Sequence, residues 1–240
     1  AASDVYKRQT PKGSSYLGRV EEFASAQPFP LTDLLVNPED GAMYVAVGGR
    51  KVQSGLYRVT YVGEESTAPA KSVPGGEEAR KRRQALEKFV QRGVKPASQN
   101  QLNKIWSALG AQDRGIRHAA RVALEKQPVA NWKKKLLPET NPVIASAAMI
   151  ALARADGKSS SDVLTKAMSL NYRTEKSWQQ RIDLLRSITL ALTRGGEPQA
   201  EQKKKLIAWL DRIYPASTPE ENRDLSAIMQ FLQALSLIHI

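Results

Sequence analysis

The spacing of apolar and polar positions changes once along this chain, from a period of two to a period between three and four. In Leu31 to Tyr61 the apolar residues fall in short runs broken by turn formers. Leu34-Leu35-Val36 and Met43-Tyr44-Val45 flank Asn37-Pro38-Glu39-Asp40-Gly41, and apolar runs bounded by Pro, Asp and Gly predict a hairpin. A second break, Gly48 to Gly55, separates Ala42–Val47 from Leu56–Val62, where Leu56, Arg58 and Thr60 alternate with Tyr57, Val59 and Tyr61. That break reads as a long inter-strand loop whose glycines permit positive φ. With Tyr16 to Phe23 added, four short strands follow one another. A four-stranded antiparallel meander is one blade of a β-propeller, which needs about 4–8 blades to close. One blade by itself leaves both faces bare, so the strand region is expected to be a slice of something larger.

From Glu77 onward the apolar stripes recur at helical spacing, punctuated by caps and prolines. Nine helices are predicted, near 77–92, 98–109, 114–126, 129–137, 142–155, 160–169, 175–194, 198–213 and 218–233. The clearest start is Thr218-Pro219-Glu220-Glu221, with Thr as N-cap, Pro at the first helical position and Glu placed to close a capping box. An internal repeat links two of these helices. Asp113, Ile116, Arg117, Ala119, Ala120, Ala123 and Leu124 align, at a shift of 28 residues, with Asn141, Ile144, Ala145, Ala147, Ala148, Ala151 and Leu152. Leu136 falls on Leu164 at the same shift, and a looser copy contains Leu184, Ile188, Ala191 and Leu192. Asp or Asn caps the helix, Ile and Leu fill the space between helices, and the alanines permit close approach. The pattern Asp-x-x-Ile-Arg-x-x-Ala-x-x-Ala-Leu resembles the HEAT repeat, in which helix pairs stack into an α-solenoid. Arg117 matches the arginine of the polar ladder in such arrays, but its counterpart is Ala145, so the ladder is not expected to continue. The fold class is thus mixed and mainly α: one four-stranded propeller blade followed by HEAT-like helix pairs.

Charge divides at the same place as the periodicity. Residues 10–70 hold five Lys/Arg against seven Asp/Glu, whereas residues 71–234 hold 29 against 16, a net +13. Between the two patterns, Ser66 to Gly76 combines Pro, Gly, Ser and Ala without apolar periodicity and reads as a linker. The ends carry a separate signal. Asp4-Val5-Tyr6-Lys7-Arg8-Gln9 can be encoded GAT GTG TAT AAG AGA CAG, and the reverse complement of that DNA translates as Leu-Ser-Leu-Ile-His-Ile, which is residues 235–240. The pair resembles a transposase adaptor from sequencing libraries, so residues 1–9 and 235–240 are set aside as scar. The expected organisation is a blade over 10–65, a linker over 66–76 and a helical repeat domain over 77–234, cut from a longer chain at both ends.

The order of a closing blade with GGRKVQSGLYRVTYVG, a short linker, then DRGIRHAARVALEKQPVANW and ENRDLSAIMQFLQA resembles the large bacterial secreted proteins labelled membrane-bound dehydrogenases. The resemblance covers nearly all of residues 14–234. It implies an extracytoplasmic parent, periplasmic or secreted, whose propeller is similar to glucose/sorbosone dehydrogenases and whose C-terminal part, outside this segment, carries haem c. The segment's partners would be the parent's propeller and cytochrome modules, with a further protein partner on the solenoid.

The segment's own chemistry is sparse. It contains no cysteine, hence no disulfide and no covalent haem site, and no cofactor is expected in it. No apolar run approaches the ~18–20 residues that span a bilayer. His118, between Arg117 and Arg121, reads as a surface residue of the repeat helix. Asp33, Asn37, Glu39 and Asp40 carry oxygen ligands suited to calcium, but without a recognised loop spacing they read as turn residues. Arg50 and Gln53 are candidates for tying the closing blade to its neighbour. The basic runs Arg80–Arg83, Lys133–Lys135 and Lys203–Lys205 raise an alternative, a helical module binding nucleic acid or another polyanion. They lie on different helices without interleaved aromatics, and Trp106, Trp132, Trp178 and Trp209 fall at apolar helical positions suited to packing. Solvated faces are the preferred reading, and the role expected of this segment is non-catalytic scaffolding.

Overall fold

The computed structural model describes residues 2–27, 29–49, 51–64, 66, 73–172 and 177–234. The chain separates into two compact units, Ala1–Glu77 and Glu78–Ile240. The described strands all lie in the first and the helices follow, starting at Glu77.

In the first unit, β1 (Ala2–Lys12) and β2 (Ser15–Ala26) form an antiparallel hairpin closed at Gly13, whose φ of 56° is one that glycine adopts without strain. The hexapeptide set aside as scar is therefore built into a strand, with Asp4 opposite Ala24 and Gln9 opposite Gly18; Val5 and Tyr6 are good strand formers whatever their origin. Residues 235–240 lie outside the described residues. A second sheet contains β3 (Leu31–Val36), β4 (Met43–Gly49) and β5 (Val52–Val59) in the order β3-β4-β5, all antiparallel. The sequence predicts one sheet of four strands; the described residues form two sheets, of two and three strands, and no closed barrel or propeller.

The first predicted turn forms as read. Asn37 N–H donates to Ala42 O, Gly41 N–H donates back to Asn37 O, and Gly41 takes a φ of 66°. The second is much tighter than expected, because Val52 already pairs with Gly49 and Gly55 with Val47. Ladder hydrogen bonds thus claim most of the predicted loop. Within the sheet, Val45 and Val47 on the central strand are buried, whereas Leu35 on β3 is 64% exposed and Leu56 on β5 is 71% exposed.

Among the described residues from Glu77 onward there are eight α-helices: α1 (Glu77–Glu87), α2 (Gln99–Ala108), α3 (Arg114–Glu125), α4 (Pro142–Ala155), α5 (Ser160–Ser169), α6 (Trp178–Gly195), α7 (Ala200–Asp211) and α8 (Pro219–Phe231). Local chemistry sets their starts. Ser98 with Gln101 and Ser177 with Gln180 form reciprocal capping boxes. Asp113 Oδ1 accepts from Ile116 N–H at 2.9 Å, and Asn141 Oδ1 accepts from Val143 and Ile144 N–H ahead of α4, which begins on Pro142. The helix expected over 129–137 is instead a pair of 3₁₀ turns, Val129–Asn131 and Lys133–Lys135. Trp132 between them takes φ −135°, which breaks the helix while burying its ring against Trp106.

The repeat positions define the core of this unit. Ile116, Ala120, Ala123 and Leu124 on α3 are buried, as are Ala148, Ala151 and Leu152 on α4, with Ile144 half-buried. Leu136 and Leu164 are both fully buried. Helix α4 packs against α3, α5 and α6; α6 also meets α5 and α8, and α7 meets α5 and α8. Small residues allow these approaches: a Cβ on Gly110 would come within 2.9 Å of Ile144, and one on Gly195 within 2.3 Å of Ser160.

Candidate functional site

The densest polar cluster in the described residues was not among the candidates from sequence. Glu221, in the first turn of α8, is fully buried, and its carboxylate receives four donors. Tyr172 Oη donates to Oε1 at 2.6 Å and Arg181 Nε donates to the same oxygen. Arg181 Nη2 and Thr218 Oγ1 donate to Oε2 at 3.3 and 2.8 Å. Thr218 is the N-cap and accepts from Glu221 N–H, as predicted, but the carboxylate does not reach back to the N-cap amide. Residues far apart in the chain have claimed it.

The electrostatics follow from this geometry. Hydrogen bonding to Arg181, opposed by burial and reinforced by Tyr172 and Thr218, holds Glu221 down to about 2. Burial and then the Glu221 carboxylate push the Tyr172 phenol above its ordinary range, and the same carboxylate raises Arg181. A carboxylate held so low and saturated by donors is a poor proton acceptor at neutral pH. The cluster ties the starts of α6 and α8 to the turn after α5. Next to it, Tyr172 also lines a cleft of about 610 Å³ with Met168, Trp209, Arg212 and Ile213, and the edge of Tyr172 meets Trp209 at 6.1 Å between ring centres.

The residues singled out from sequence are distributed differently. His118 is exposed on α3 and its Nδ1 lies 3.3 Å from Arg121. Arg117 donates to the carbonyls of Ala111 and Gln112, both at 2.7 Å, so it closes the turn between α2 and α3. Links between neighbouring helices are made elsewhere: Glu125 joins Arg121 on α3 to Arg154 on α4. In the sheet, Asp33, Asn37 and Asp40 accept from the backbone amides of Leu34, Glu39 and Ala42. Asp40 also pairs with Arg58 at 3.2 Å, and Tyr44 Oη bridges the two. The Ala42 amide is the main influence holding the Asp40 carboxyl below its usual value, with Tyr44 and Arg58 adding to it. A guanidinium at that distance opposes cation binding, and no group of three or more metal-ligating side chains occurs among the described residues. Gln53 is an exposed residue of β5; Arg50 lies outside the described residues.

The basic runs are partly used as struts. Lys133 donates to Ser159 Oγ and pairs with Asp162, while Lys135 donates to Asn103 and sits 5.8 Å above the Trp106 ring. Lys203 pairs with Glu197, Lys205 with Glu201 and Arg83 with Glu87. Trp106 and Trp132 are buried, with the Trp106 indole N–H donating to Glu139 at 2.7 Å, but Trp178 is 53% exposed at the start of α6. No helix of the described residues is long and apolar enough to cross a membrane. Neither a protein-family model, nor a curated protein, nor a solved structure matches this chain.

Proposed function

We propose that this chain is a non-catalytic scaffold segment of a larger extracytoplasmic redox protein, in which the strands belong to a propeller similar to glucose/sorbosone dehydrogenases and the helices form a HEAT-like solenoid leading to a cytochrome c module. The observation that carries the reading is the apolar surface left on both sides of the three-stranded sheet. By register, Leu35 and Leu56 share one face, and Val36, Tyr57 and Val59 share the other with buried Val45 and Val47; the first five are all exposed. Exposed apolar side chains on both faces fit a blade whose neighbours cover it. The helix packing supports the second half: α3, α4, α6 and α8 succeed one another, while α5 and α7 pack alongside, an order that suits stacked pairs.

The flanking genomic sequence tests this directly. Upstream repeats of the blade pattern behind a signal peptide, and a downstream Cys-x-x-Cys-His, are expected. A complete short gene with neither would overturn it. The polyanion reading keeps one supporting observation, the net +13 of residues 71–234. Tight binding to duplex DNA that weakens steeply with salt would favour it.

A further inference from the structure

The three-stranded sheet has two edges, and they are not alike. In β4 the even-numbered residues bond towards β3: Asn37 N–H donates to Ala42 O at 2.9 Å, Thr32 Oγ1 to Ala46 O at 3.1 Å, and Gly48 N–H to Pro30 O at 3.0 Å. The odd-numbered residues therefore bond towards β5, through the pairs Val45–Tyr57 and Val47–Gly55. On β5 that alternation leaves the amides and carbonyls of Ser54, Leu56 and Arg58 pointing away from the sheet. Among the described residues no hydrogen bond reaches them. Strand β5 also lacks the usual edge guards: residues 52–59 contain neither Pro nor Lys, and their one charge, Arg58, folds back onto Asp40 at 3.2 Å. The β3 edge is guarded. Its outward Leu34 amide donates to the Asp33 carboxylate at 2.8 Å, a register shift interrupts it between Leu31 and Asp33, and β1 touches it.

We propose that β5 pairs antiparallel with β5 of a second copy of this chain, Leu56 opposite Leu56, joining two three-stranded sheets into one of six strands. The backbone fixes the form of the occupant, since a row of outward N–H and C=O groups is satisfied by another extended strand. The strand's own sequence fits a second copy. A two-fold axis normal to the sheet at Leu56 is the isologous arrangement. It sets Ser54 against Arg58 and Gly55 against Tyr57, so about six hydrogen bonds form and no like charges face each other. Exposed Leu56 meets its counterpart, and the Tyr57 ring, which already leans over Gly55 of its own strand, has the same small residue opposite. Because the β3 edge is guarded, association closes at two copies and does not grow into a ribbon. The inference is independent of the redox-parent reading, which the flanking sequence decides.

The test is sedimentation velocity on the whole chain across about 1–200 µM, where a monomer–dimer equilibrium is expected. Leu56→Lys and Leu56→Glu should each raise the dissociation constant about tenfold or more, because like charges then meet on the axis. An equimolar mixture of those two variants should recover the dimer. Ser54→Pro should weaken pairing to a similar degree, since the N–H it removes points outward and the ladder with β4 is untouched. Leu35→Lys, on the same face but on the far strand β3, should leave the dimer unchanged. Circular dichroism and the melting midpoint of each variant establish that the fold is kept. The proposal is overturned if the chain stays monomeric throughout that range, if assembly runs on past the dimer, or if the mixed charge variants stay monomeric. It is also overturned if Leu35→Lys abolishes association while Ser54→Pro does not, the result expected of sheets stacking by their faces.

Discussion

Glu221 shows how a residue's local and tertiary roles diverge. Three positions after Thr218 it has the place of a capping-box glutamate, yet its carboxylate serves Arg181 and Tyr172, which lie 40 and 49 residues away. Removing one partner leaves a buried charge, so Arg181→Ala should cost about 3 kcal/mol or more in urea unfolding, with Tyr172→Phe costing less. The same pair predicts a pH dependence. Its folded pKa of about 2 lies below the ordinary 4.5, so the unfolded chain binds the proton more readily. The stabilisation is complete above the unfolded value and is lost as pH falls from there through the folded one; the melting midpoint should drop across that window, and Glu221→Gln should flatten this part of the profile. Gly195 is the second residue whose environment decides its identity. Its missing Cβ leaves room for Ser160, so Gly195→Ala should destabilise by about 1–3 kcal/mol in thermal or urea melts, and Ser160→Gly in the same chain should recover part of the loss.

Among the elements, helix starts were the most legible features, because N-cap chemistry is local. Asp113, Asn141 and Thr218 cap as their sequence predicts. Asn141→Ala should therefore cost about 1 kcal/mol, read as a lower urea midpoint with an unchanged slope. The segment 129–137 was less legible, since its apolar spacing suits a helix while the burial of Trp132 requires a break. Trp132→Ala should cost about 3–5 kcal/mol by opening a cavity beside Trp106, more than truncation of a half-exposed residue such as Ile182. Strand ends were the weakest reading. Glycines in Gly48–Gly55 look like loop formers, but backbone pairing with β4 draws Val52 to Gly55 into the ladder. Whether β2 joins β3 in one sheet is likewise a matter of long-range hydrogen bonding, which alternation along a single strand does not specify.

At the scale of the whole molecule, the two units differ in how much apolar surface each buries by itself. The helical unit contains a continuous core running from Leu86 to Ala234. Residues 78–234 alone should therefore keep their helical circular dichroism and unfold in one cooperative transition. The strand unit buries Ala42, Val45 and Val47 but exposes Leu35, Leu56 and Val62. Residues 2–66 alone should associate with rising concentration, measured by sedimentation velocity, and Leu35→Lys with Leu56→Lys should reduce that association. The sequence by itself determined the change from strands to helices, the caps that start several helices, and which repeat positions face inward, because periodicity, capping and side-chain size act within a few residues. Tertiary structure alone decided the partition of the strands into two sheets, the break at Trp132, and the gathering of Tyr172, Arg181 and Glu221. Each of those depends on groups brought together from distant parts of the chain, and their free energy exists only once the packing that excludes water around them has formed.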